Sequence, residues 1–95
     1  MFRFARCAAI SAIALVAAGA VEAACYVDYK ARIAQPFQLH YGVIRLSDAE
    51  CADPRAAVQA RIGVDGWEVL AIMDQFDEAG AEARRNDAAG FYLRY

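Results

Sequence analysis

The chain has no threonine, one histidine (His40) and, beyond residue 11, one serine (Ser47). Covalent catalysis wants a hydroxyl or thiol beside a base, with something to hold the developing charge. Ser47 and His40 lie seven residues apart, and no further residue completes a triad with them. A surface histidine and a loop serine account for the pair without chemistry. A Cys51–His40 dyad requires Cys51 to be a free thiol. The six glycines are scattered and do not form the spaced set of a phosphate-binding loop. No two cysteines stand as Cys-x-x-Cys, so thioredoxin-type exchange and structural zinc both lack their motif. Asn86-Asp87-Ala88 lacks the Ser or Thr of a glycosylation acceptor. Asp74, Asp77, Glu78 and Glu82 cluster, but without the alternating positions of a calcium loop, so they read as a solvated acidic connector. No metal site and no cofactor is expected.

The N-terminus is richer in signal. Met-Phe-Arg-Phe-Ala-Arg carries two cations and no acid, and Cys7 to Val21 then runs fifteen residues without a charge. That run is short of the roughly 20 apolar residues a membrane-spanning helix wants. It fits a secretory leader covering 1–23, with Val21-Glu22-Ala23 giving cleavage between Ala23 and Ala24 and Ala18-Gly19-Ala20 as second choice. The remaining 24–95 form one small domain of 72 residues with 8 cations, 11 acids and a net charge of −3. That balance opposes binding to nucleic acid or to an acidic membrane surface. The expected location is outside the cytoplasm: periplasmic in a Gram-negative bacterium, otherwise secreted, with no stable membrane insertion after cleavage.

Cys25 follows the cleavage site directly. Lipidation would want an aliphatic residue where Glu22 stands, so a lipid anchor is disfavoured. Cys7 leaves with the leader, and Cys25 and Cys51 permit a single intramolecular disulfide, as expected of a small exported domain.

Residues 25–33 alternate, with Cys25, Val27, Tyr29, Ala31 and Ile33 on one side and Tyr26, Asp28, Lys30 and Arg32 on the other. This predicts a half-buried strand. A second strand over 37–46 changes parity at Gly42, which predicts a bulge there. Asp53 as N-cap and Pro54 at the first helical position predict a helix over about 54–63. Residues 66–76 are apolar on both parities, which predicts a central strand. Residues 77–90 read as a connector with a short helical turn, and 91–95 as a last strand. The expected fold is α+β: a small, mainly antiparallel sheet of four strands, ββαββ, with one main helix on one face.

Gly66-Trp67-Glu68-Val69-Leu70, the helix before it, Tyr29-Lys30 and the closing Phe91-Tyr92-Leu93-Arg94 resemble a bacterial family of small domains of unknown function. That family has an opening strand with Tyr and Lys, a helix, a Gly-Trp-Glu-Leu-Val strand and an aromatic strand ending in Lys or Arg. The resemblance implies a small sheet-plus-helix fold and supplies no catalytic residues. The cysteine pair and the 34–50 segment depart from the family pattern.

If Trp67, Val69, Ala71 and Met73 face the helix, Leu70 and Ile72 face away, joined by Tyr26, Lys30, Arg32, Tyr92 and Arg94. An apolar centre rimmed by Tyr and Arg suits a protein interface. The functional expectation is a non-catalytic module that binds a protein partner or a second copy of itself, unless the 34–50 or 77–90 segment folds over that face. The alternatives are a small envelope enzyme or metal binder using His40 and carboxylates, and an accessory protein tethered by an uncleaved leader.

Overall fold

The computed structural model describes residues 24–95; the expected leader, including Ala23, lies outside the described residues. Strands β1 (Ala24–Ala34), β2 (Phe37–Ser47) and β3 (Glu68–Phe76) form one antiparallel sheet in the order β2-β1-β3. Helix α1 (Pro54–Ile62) lies between β2 and β3, and the short helices α2 (Glu78–Ala83) and α3 (Arg85–Ala88) follow β3. The fold is α+β.

The alternation of β1 becomes the two faces of the sheet. Cys25, Val27, Tyr29 and Ala31 join Ile44, Leu46, Val58, Ile62, Trp67 and Val69 in the main core beneath α1. The Asp53 side chain accepts from the Ala56 N–H, and Pro54 starts the helix, as its missing N–H allows. Val58 and Ile62, one turn apart, are fully buried, each worth about 1.5–3 kcal/mol. A 3-10 turn then ends at Gly66, whose φ of 86° suits a residue without Cβ. The opposite face carries a smaller cluster of Val43, Ala81 and Ala88 with Tyr26, Tyr41, Phe76 and Tyr92, so α2 and α3 cover that part of it.

Three expectations are corrected. First, among the described residues there are three strands, not four: Phe91–Tyr95 forms no ladder. Positive φ at Ala89 (49°) and Leu93 (53°) interrupts the extended run. What remains is one parallel bridge, Val43↔Tyr92, with Leu93 N–H donating to the Val43 carbonyl at 2.8 Å. Second, Gly42 is not a bulge, because the β1–β2 register runs unbroken from Ala24↔Ser47 to Ala34↔Phe37. Third, the central strand is β1, and β3 is an edge. The bulges lie between β1 and β3: Asp28 pairs with Asp74 but Tyr29 with Ile72, and Lys30 with Ala71 but Ala31 with Val69. Met73 and Leu70 are the extra residues. Each bulge flips the parity of β3, which is why both of its parities are apolar. The outer edge of β3 is dressed by α1. Gln59 donates to the Trp67 carbonyl at 3.0 Å and accepts from Val69 N–H at 2.9 Å, standing in for a neighbouring strand.

Candidate functional site

Cys25 and Cys51 are joined as a disulfide, with Cα atoms 6.2 Å apart. This ties the first strand to the turn before α1 and removes Cys51 from any dyad. Ala24, on the near side of the expected cleavage site, is the first residue of β1.

Ser47 and His40 do not meet. Seven residues of strand separate them by about 23 Å, and their parity places them on opposite faces of β2. Ser47 instead forms a capping box: its hydroxyl accepts from Glu50 N–H at 3.2 Å and its N–H donates to Glu50 Oε1 at 2.9 Å. Arg61 on α1 grips the same carboxylate with Nε and Nη2 and also donates to the Tyr95 carbonyl at 2.8 Å. The Arg61 fork holds the Glu50 carboxyl down at about 2.

His40 is buried rather than at the surface. Its ring stacks on Phe91 at 3.7 Å between centroids, meets Trp67 edge-on at 4.2 Å, and shares a 2.9 Å hydrogen bond with the Tyr29 hydroxyl through Nε2. Nδ1 has no partner among the described residues. Burial first, and the nearby Arg94 second, lower its pKa to about 4. Such a histidine stays neutral near pH 7 and is held as an aromatic core residue.

Three of the four clustered acids, Asp74, Asp77 and Glu82, accept local hydrogen bonds. Asp77 caps α2 by accepting from Gly80 N–H at 2.9 Å, and Glu82 pairs with Arg85. Asp74 accepts from the neighbouring Gln75 N–H. Asp28, 5% exposed, is the one buried carboxylate among the described residues. It accepts from the Tyr41 hydroxyl at 2.8 Å, Asp74 N–H at 2.9 Å and Arg84 Nε at 3.3 Å. Burial, followed by that bond to Asp28, pushes Tyr41 up to about 12.

The expected binding face is split in two. Tyr26 and Tyr92 come together beneath the α2–α3 segment, around Val43. Ile72 is turned by the bulges to pair with Tyr29 and packs against the main core. Arg94 lies 5.4 Å over the Phe91 ring, away from the others. Lys30, Arg32 and Leu70 do share the uncovered half of the face, with Arg32 bonded to Glu68 at 3.0 Å. There they meet residues the sequence reading left out. Phe37 and Leu39 are 66% and 60% exposed, Leu70 is 40% exposed, and Tyr41 stands across from Lys30. Lys30, Ala31, Leu39, His40, Tyr41 and Leu70 line a depression of about 320 Å³. Counting an unbroken register across the turn at 35–36 is the signal that finds Leu39 and Tyr41, since it sets them opposite Arg32 and Lys30.

No family model, curated protein or solved structure matches this chain. Among the described residues no helix is long and apolar enough to cross a membrane.

Proposed function

We propose that this is an exported, non-catalytic binding module that recognises a protein partner through the open half of its outer sheet face. One observation carries the reading: the exposed Leu39 and Leu70 line the depression beside Lys30, and the exposed Phe37 stands two residues before Leu39 on the same face of β2. Three large apolar side chains exposed together on a 72-residue domain are costly unless something covers them. Lys30 is in no ion pair among the described residues and is the only lysine in the chain. The complementary partner is an apolar surface carrying a carboxylate to meet that ammonium. Export is supported by the leader-like N-terminus together with the disulfide, a bond that persists in oxidising compartments. Cleavage before Ala24 leaves β1 whole.

The test compares tagged wild type with Lys30→Glu/Leu70→Asp after export, using Val64→Asp as a control at a remote exposed site. The reading expects a partner captured by wild type and the control and lost from the double variant. Capture that is equal for wild type and the double variant, with both folded, overturns it.

A further inference from the structure

Backbone groups that point away from β1 recur on alternate residues of β2. The Val43 carbonyl accepts from Leu93 N–H, and the Arg45 carbonyl accepts from Arg61 Nη2 at 3.2 Å, so this parity faces outward. The same parity turns the amides and carbonyls of Phe37, Leu39 and Tyr41 outward, and among the described residues no bond from outside the sheet reaches them. Exposed edges are normally guarded by charge, a bulge or a covering segment. This one has none of these over its first half. Ile33 to Ile44 contains no acid, lysine or arginine, the register is unbulged, and the backbone bond from the C-terminal arm to this edge is at Val43.

We infer that two copies of the chain pair along this edge, antiparallel about Leu39, into one continuous six-stranded sheet. The proposal names a partner beyond the binding reading above and rests on it for the shared outer face. In this register Leu39 stands opposite Leu39 of the second copy, and Phe37 opposite its Tyr41. No charge meets a like charge, and Arg32 and Arg45 fall outside the paired stretch. The turn at 35–36 of each copy comes level with Gly42 of the other, just short of the Val43↔Tyr92 bridge. The arm therefore limits pairing to 37–41. The contact is isologous and closes at two copies. Because paired residues share a face, the two open halves merge into one apolar surface centred on the Leu39 pair.

The test is the molecular mass of the exported protein by light scattering over a concentration series. Wild type is expected as a dimer. Leu39→Lys sets two cations opposite each other and removes a Leu–Leu contact, weakening the dimer by about tenfold or more. Leu39 is largely exposed, so the variant keeps its fold, checked by circular dichroism. Mixing Leu39→Lys with Leu39→Glu is expected to restore dimers of one chain of each kind. A monomeric wild type, a dimer indifferent to Leu39→Lys, or a Lys/Glu mixture that stays monomeric overturns the pairing. Lys30→Glu/Leu70→Asp separates the two readings. A dimer that survives it leaves edge pairing standing even if no partner is captured. A monomeric wild type that captures a partner through Leu70 overturns the pairing alone.

Discussion

Tyr29 lies over Gly42 of the neighbouring strand, and a Cβ on residue 42 would sit 2.5 Å from the tyrosine hydroxyl oxygen and 2.6 Å from Cζ. The two are register partners at the centre of the β1–β2 ladder. A glycine there gives the fully buried ring a bed against the backbone, with no left-handed φ involved. Gly42→Ala is therefore an overpacking change, expected to cost about 1–3 kcal/mol, with Gly42→Val worse. The check is the urea midpoint; an unchanged midpoint for Gly42→Ala would show that the ring is free to move aside.

The Tyr29 hydroxyl also holds His40, which gives stability a pH dependence. The folded pKa of about 4 lies below the ordinary 6.5, so between these values the unfolded chain binds a proton that the folded chain refuses. The stabilisation is present above about pH 6.5 and lost as pH falls toward 4, with an upper limit of about 3 kcal/mol that solvent screening reduces. His40→Leu should flatten the stability profile across that window while leaving the fold intact. An equally steep profile in the variant would place the titration elsewhere.

Those two residues also mark where sequence pattern stopped being a guide. Asp53-Pro54, the alternation of β1 and the cysteine pair all act locally or by simple count, and each gave its element directly. Parity in β2 did not. The apolar pattern suggested that the strand switches faces at Gly42. In the fold His40 and Gly42 lie inside, while Phe37 and Leu39 lie outside. Hydrophobicity assigns the inner face only when the outer face is free to be polar, and here it is not. The β3 bulges were equally hidden, because they depend on which residues of β1 stand opposite. The half of the outer face that stays open was legible only at Lys30, Arg32 and Leu70, since covering the other half depends on where α2 and α3 land.

Reducing the Cys25–Cys51 bridge should cost about 3–4 kcal/mol, from the loop entropy of a 26-residue separation. Against the roughly 4–11 kcal/mol that a domain this small commands, that is a large share. Cys25→Ala/Cys51→Ala should melt well below wild type. Two titratable thiols in protein denatured without reductant would contradict the bridge.

Acid should act a second time at Glu50. Its folded pKa, lowered to about 2 chiefly by the Arg61 bonds, lies below the usual 4.5. Its contribution is present above that value and lost as pH falls toward 2. This window lies below that of His40. Arg61→Met removes both bonds to Glu50 and the anchor on the Tyr95 carbonyl, so the variant should lose the lower step of the stability profile and keep the upper one. Loss of the upper step instead would assign the windows the other way round.

Ala89 offers the opposite kind of change. Its φ of 49° and ψ of −117° match the first central position of a type II′ turn, which is dominated by glycine because a Cβ there crowds the backbone. The strain persists because Ala88 is buried in the outer-face cluster on one side while Phe91 stacks on His40 on the other. Ala89 itself is exposed, so replacing it leaves no cavity. Ala89→Gly removes the steric cost but adds backbone freedom to the unfolded chain, a loss of up to about 1 kcal/mol that the relieved strain of roughly 1–3 kcal/mol exceeds. The variant should therefore melt higher than wild type, with the same circular dichroism spectrum. A lower melting temperature would mean that residue 89 relaxes to negative φ, and the path of the C-terminal arm to Val43 would then have to differ from the one described.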